Sequence, residues 1–359
     1  MPNDPYRELA RQLDAIPNGF PATASGVELR LLAKLFAPEE AALAAVMRLT
    51  PEPAGDIASR ARRDSQEAYR TLRRMASRGL IDARRAGEQR GFSLRPFVVG
   101  FYESSLPRMD DELAALFEEY YTESGAGMLR DTPSLHRVIP VGESIPFQIE
   151  VFPYERASEL LEGAKSWGVR RCICRVQQQL VGRGCERPVE SCLVFAPIEG
   201  AFDHSESDRA ITKEEAIRIL GEAAEAGLVH STGNYRSGTN YICNCCTCCC
   251  GILRGISEFD IPTAAAHSAF RMVVEPSLCI GCADCIDRCQ FGALTVPDDL
   301  AVIEEARCMG CGQCILACTV DALRLERRPA EEILMPPADL RDWMAKRSEA
   351  RGLSMGRRS

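Results

Sequence analysis

The chain has 359 residues, 46% of them hydrophobic, a formal net charge of −8 and 18 cysteines. It is too apolar to be disordered and long enough for two or three domains with their own cores. No apolar run approaches the roughly 18 residues that a membrane-spanning helix needs. The opening stretch MPNDPYRELARQLDAIP has no signal-peptide core, so a cytoplasmic location with reduced thiols is expected. Eighteen cysteines in that setting point to metal rather than to disulfides.

Residues 1–25 read as a polar lead-in and residues 26–100 as a first domain. Val27 to Leu49 fits one or two helices, with Pro38, Glu39 and Glu40 as a start. Pro51 and Pro53 break the chain, and Gly55 to Ile81 reads as two short helices. The second begins at Asp64, which has capping-box spacing to Glu67. Ala68, Leu72, Met75 and Gly79 share one side of it. Arg70, Arg74 and Arg78 form a basic stripe, with Arg73 beside them. Between Asp56 and Arg95 eleven arginines face five acids, an asymmetry that suggests two different partner surfaces. Arg84 to Arg95 reads as a hairpin, and Phe97-Val98-Val99 as a further strand. This order of helices and hairpin resembles the winged-helix family. The resemblance implies DNA binding through the helix from Ser65 to Arg78, with Arg70, Arg73, Arg74 and Arg78 reaching phosphates and bases. The alternative is a winged helix used for packing, its arginines solvated.

Residues 101–148 read as a linker. It holds an acidic amphipathic helix, Met109 to Glu123, whose apolar side carries Leu113, Leu116 and Phe117; this is either an ordinary packed helix or a dimer element. Ser124 to Pro140 is loop-like, and Ile145 to Phe152 has strand character. Residues 149–258 form a cysteine-rich, metal-binding domain. Its first group is Cys172, Cys174, Cys185 and Cys192, with Arg170, Arg171 and Arg175 placed to stabilise thiolate. Thr212 and Glu215 cap a helix with Ala216, Ile219, Leu220 and Ala223 on its apolar stripe and Gly227 at its end. Leu228-Val229-His230 and Thr239 to Ile242 read as a hairpin.

Then comes CNCCTCCCG, with Cys243, Cys245, Cys246, Cys248, Cys249 and Cys250. Packing has no use for so many thiols in so short a run. The two groups are expected to meet in space and to hold one or more further iron–sulfur clusters or zinc, with redox-active thiols or structural use as alternatives. The run loosely resembles the cysteine-rich domains of heterodisulfide-reductase-type proteins, but its spacing departs from theirs and no ligands carry over. His204, His230 and His267 are candidate extra ligands or plain hydrogen-bonding residues.

Residues 268–326 contain CIGCADCIDRCQFGAL and CMGCGQCILACTVDAL, an internal repeat offset by 29 residues from Cys279 to Cys308. Gly281, Ala283, Gly310 and Gly312 let amides turn toward the sulfurs. The stretch resembles the bacterial two-[4Fe–4S] ferredoxin family. That resemblance implies two [4Fe–4S] clusters, one on Cys279, Cys282, Cys285 and Cys318 and the other on Cys308, Cys311, Cys314 and Cys289. In each copy the fourth cysteine is expected to start a short helix. Gln290 and Thr319 stand where the family usually has proline. Structural zinc and disulfides are the alternatives. Residues 327–359 read as a connector, a charged helix from Ala338 to Arg351 with Trp343 and Met344 on it, and a basic mobile tail ending Arg357-Arg358-Ser359.

The expected class is α+β and multidomain: a winged-helix-like domain, a cysteine-rich α/β middle and a two-cluster ferredoxin-like domain. No P-loop, dinucleotide fingerprint or Ser/His/Asp arrangement is present in the sequence. The leading expectation is an electron-transfer protein serving a partner oxidoreductase, a component of such a system rather than a stand-alone enzyme. A redox-responsive regulator that binds nucleic acid through its N-terminal domain is the alternative. A third reading is an oxidoreductase with catalysis at Cys243–Cys250.

Overall fold

A computed structural model describes residues 4–86, 89–145, 152 and 155–353. The chain divides into two units, one of Met1–Met128, Leu180–Gly182 and Arg347–Ser359, the other of Leu129–Gln179 and Arg183–Lys346.

The first unit opens with a helix, α1 (Pro5–Asp14), within the stretch expected to be a polar lead-in. Asp4 caps it by accepting the Tyr6 amide at 3.0 Å, and Leu9 and Leu13 are buried. The two leucines are one helical turn apart, and the charged residues around them hide the stripe. Next come α2 (Val27–Leu35), α3 (Pro38–Ala44), β1 (Glu52–Pro53), α4 (Ala54–Ala61), α5 (Ser65–Ser77), β2 (Ile81–Ala86) and β3 (Gln89–Leu94). The strands form an antiparallel sheet in the order β1-β3-β2, and β2 and β3 make the expected hairpin. Asp64 caps α5 by accepting from Gln66 and Glu67, and Ala68, Leu72 and Met75 are buried beneath it.

The strand expected at Phe97-Val98-Val99 does not form. Residues Phe97–Phe101 turn instead, which seats the Phe97 ring 5.2 Å from Phe20 and 5.4 Å from Tyr120. α6 (Asp111–Glu123) buries Leu113, Ala114, Leu116, Phe117 and Tyr120, so it belongs to this unit's core and is not a bare linker. The buried Arg347 closes the unit, donating to the carbonyls of Pro17 at 2.8 Å and Met128 at 2.6 Å.

The second unit is built on a seven-stranded sheet. Its strands are β4 (His136–Ile139), β5 (Ser166–Arg171), β6 (Glu190–Ala196), β7 (Arg209–Ile211), β8 (Val229–Gly233), β9 (Tyr241–Cys245) and β10 (Ala265–Ala266), in the order β10-β4-β8-β9-β6-β5-β7. Among the described residues, only the β10–β4 pairing in this sheet is parallel. β4 lies inside the stretch expected to be a loop. Its polar His136 and Arg137 conceal the strand, yet all four of its residues are buried.

α7 (Ala157–Glu162) and α9 (Lys213–Glu225) cover one face of this sheet. Leu161, Ala216 and Ile219 pack there against Val169, Leu193, Phe195 and Ile242. Thr212 caps α9 by accepting the Glu215 amide at 3.2 Å. α8 (Ile173–Leu180) follows β5, and α10 (Gly251–Ser257) follows the cysteine run. Residues 146–151, where a strand was expected, lie outside the described residues, as does the basic tail.

The repeat follows in the same unit. It consists of β11 (Phe270–Val274), α11 (Asp284–Arg288), β12 (Leu294–Thr295), β13 (Val302–Ile303) and β14 (Leu323–Arg327). β11 pairs with β14 and β12 with β13, both antiparallel. α12 (Leu340–Ala350) carries the buried Trp343, whose indole N–H donates to the Ser134 carbonyl at 2.9 Å. No helix among the described residues is long and apolar enough to cross a membrane.

Candidate metal centres

The sheet sorts the middle cysteines by face. Leu193, Phe195 and Ile242 point toward the helices α7 and α9. Strand alternation therefore turns Cys192, Cys243 and Cys245 to the opposite face. Cys172 and Cys174 join them from the start of α8, and Cys250 joins from the N-cap of α10. The six thiols form a ring of electrostatically interacting neighbours: Cys172 with Cys174 and Cys192, Cys174 with Cys250, Cys250 with Cys245, Cys245 with Cys243, and Cys243 with Cys192. Hydrogen bonds from Cys174 and Cys192 hold the Cys172 thiol well below its ordinary range, against the cost of burial. The other five are held well above theirs, chiefly by the neighbours to which they must donate and by burial. Six adjacent sulfurs, with Cys172, Cys245 and Cys250 buried and the rest half-buried, cannot all carry charge without cations among them.

One cation is built in. Arg175 is 1% exposed and donates to the carbonyls of Pro188 and Asn244 and to the Ser191 hydroxyl, at 2.7–2.8 Å. Its Nε is buried without a hydrogen-bond partner. The expectation that Arg170 and Arg171 crowd the same thiols does not hold. Arg170 pairs with Asp208 at 2.6 Å, and Arg171 is exposed.

The remaining four middle cysteines form a separate, tighter group. The sulfurs of Cys185, Cys246, Cys248 and Cys249 all lie within 4.8 Å of one another. The Cys246 thiol is lowered to about 5, first by its hydrogen bond with Cys249, with Arg175 contributing charge. Burial pushes Cys248 up to about 11.

No histidine belongs to either group. His230 bonds Asn244 at 2.6 Å, His267 bonds the Cys308 carbonyl at 3.0 Å, and His204 is exposed.

In the repeat, the sulfurs interacting with Cys285 are those of Cys282, Cys279 and Cys318. Those interacting with Cys311 are Cys308 and Cys289, and those interacting with Cys314 are Cys311, Cys289 and Cys308, with Cys285 of the other group last and weakest. Burial, with the neighbouring sulfurs, pushes the Cys311 thiol up to about 12. Gly281, Ala283, Gly310 and Gly312 all have left-handed backbones, φ between 66° and 77°. At Gly310 an added Cβ would come 2.1 Å from the Phe270 carbonyl oxygen, so no side chain fits. The fourth cysteine does not start a short helix in either copy. Cys289 ends α11 and Cys318 ends a 3-10 turn. Backbone amides of Ala293, Ala301 and Ala322 point at Cys289, Cys279 and Cys318 at 3.3–3.4 Å.

Side chains of the repeat grip the cysteine-rich part of the same unit. Arg288 donates to the Ala224 and Glu225 carbonyls that end α9, and Gln313 donates to the Leu228 carbonyl at 2.6 Å. Gln290 donates to the Gly227 carbonyl and accepts the Thr247 amide. These contacts could not be read from the sequence. The unusual glutamine after Cys289 was the one available signal.

Residues 271–319 match the family model of the 4Fe-4S dicluster domain. The repeat is similar to a dicluster domain of iron–sulfur type. Searches of curated proteins and of solved structures gave no match for this chain. The dicluster domain supplies eight of the eighteen cysteines, and the other ten make the ring and the tight group.

The arginines expected to read DNA divide in two. Arg70 and Arg73 are exposed on α5. Arg74 and Arg78 instead bond the buried carboxylate of Glu40, at 3.0 and 2.8 Å. Burial works to raise that carboxyl, but the Ala37 amide and the two guanidiniums outweigh it and hold it below its ordinary range.

Proposed function

We propose that the chain is an iron–sulfur electron-transfer protein that exchanges electrons with a partner oxidoreductase. The reading rests on the grouping of the eight repeat cysteines, three from one copy with the fourth from the other. Cys279, Cys282, Cys285 and Cys318 would hold one four-iron cluster, and Cys308, Cys311, Cys314 and Cys289 the other. Bound there, such clusters supply reversible one-electron chemistry. The amides of Ala293, Ala301 and Ala322 donate to ligand sulfurs and so favour the more negative, reduced state. Buried Cys285 and Cys314 keep water from the interior, whereas Cys282 is exposed. Leu278 and Ile280 stand exposed nearby in sequence and give a partner protein an apolar contact.

The six-thiol ring extends this reading with a further, polynuclear thiolate centre. Six ligands exceed what one tetrahedral ion accepts, and the unpartnered Arg175 Nε–H suits an anionic, sulfur-rich occupant. Iron and acid-labile sulfide analysis of anaerobically purified protein, with EPR after reduction, tests both parts. Clearly more than about eight iron per chain supports the ring centre, and about eight removes iron from it. No EPR signal from a reduced cluster overturns the electron-transfer reading.

A nucleic-acid-binding regulator is the second reading, favoured by Arg70 and Arg73 on an exposed helix beside a hairpin, an arrangement similar to a winged helix. Salt-dependent binding to duplex DNA that is lost in an Arg70→Ala/Arg73→Ala variant would support it.

A further inference from the structure

We propose that Cys185, Cys246, Cys248 and Cys249 bind a single tetrahedral zinc ion, a centre distinct in nuclearity from every other cysteine site in the chain. The sulfur of Cys185 lies 4.0 Å from that of Cys246 and 3.7 Å from that of Cys249, and Cys248 lies 3.8 Å from Cys249. A tetrahedron with zinc–sulfur bonds of about 2.3 Å has edges of about 3.8 Å, so the observed spacing is that of four ligands sharing one ion. Thiolates on four separate irons of a cubane stand farther apart than ligands on one metal. Disulfide bonds, at about 2.05 Å, are excluded by the same distances.

The ligand loop is set by contacts independent of any metal. The amide of Cys250 bonds the Cys246 carbonyl at 2.9 Å, closing the turn, and Gln290 holds the Thr247 amide at 2.8 Å. Arg187 donates to the Cys248 sulfur at 3.6 Å, supplying positive charge to an all-thiolate site. Among the described residues no carboxylate or histidine belongs to the group, and four thiolates leave no open position, the pattern of a structural zinc rather than a catalytic one. The ion joins the irregular segment between α8 and β6, which carries Cys185, to the turn after β9.

The test is metal analysis of the full chain, wild type against Cys249→Ser and Cys185→Ser. About one zinc per chain is expected in the wild type, falling at least fivefold in either variant while the repeat keeps its iron and sulfide. Loss of iron instead of zinc, or zinc retained in both variants, overturns the proposal. Wild-type protein produced in zinc-depleted, cobalt-supplemented medium guards against variants that fail to fold. It should show the intense visible bands of tetrahedral tetrathiolate cobalt, and their absence overturns the proposal. Because iron and zinc are counted separately, this result stands or falls independently of the electron-transfer reading.

Discussion

The side-chain carbonyl of Gln290 accepts the backbone N–H of Thr247 at 2.8 Å. Gln290 follows Cys289 in the dicluster domain, and Thr247 sits between Cys246 and Cys248. One side chain thus ties a ligand loop of the repeat to the turn that bears the four-thiol group. The residue that replaces the usual proline is the one that makes this tie.

Gln290→Pro should leave the iron of the dicluster domain in place and free the Thr247 amide. A partly buried N–H left unpaired costs about 1–3 kcal/mol. Hydrogen exchange at Thr247 should accelerate at least tenfold, and unchanged exchange would show that the turn does not depend on this contact.

Cys311→Ala and Cys282→Ala should each remove one cluster, about four iron, while the other remains. Retention of the full iron content in Cys311→Ala would refute the ligand assignment.

Removing Arg74 and Arg78 together leaves the Glu40 carboxylate buried without a counter-charge. The double alanine variant should lose about 3 kcal/mol at pH 7. The wild-type carboxyl is held low, so its contribution is present above the unfolded pKa and fades as pH falls. In the variant the carboxyl is raised, and acid should narrow the gap to wild type. Arg70→Ala/Arg73→Ala should change stability by less than about 0.5 kcal/mol. Urea titrations at pH 7 and pH 5 distinguish the two pairs.

His136 is buried, with Tyr241 and Ser231 on its two ring nitrogens at 3.0 and 3.2 Å. Burial lowers it to about 3. A histidine that stays neutral when folded but gains a proton when unfolded loses stability as pH falls below about 6.5. The expected loss between pH 7 and 5.5 is about 1.3 kcal/mol, and it should be absent in His136→Gln. Equal slopes in wild type and variant would contradict it.

The dicluster repeat was legible in sequence because its ligands lie in one short, regular spacing. The helices α5 and α9 were legible because Asp64 and Thr212 announce them. The division of the ten middle cysteines was not, because it depends on long-range pairing between β6 and β9. The period-two spacing of Cys243 and Cys245 was a signal that both share one sheet face. β4 was missed because its His136 and Arg137 are polar yet buried, an exchange that only tertiary partners make affordable. The arginine stripe on α5 was legible only in part, since Glu40 lies on a different helix and takes Arg74 and Arg78.

Cys245 belongs to the ring and Cys246 to the four-thiol group, so a single peptide bond separates the two proposed sites. Cys250 then returns the chain to the ring. Whichever site fills first removes conformational freedom from the backbone of the other. Loading is then cooperative in both directions, each site raising the other's affinity by the same factor. Maturation of this protein becomes a question of order, and a cell short of one metal would also produce chains poor in the other.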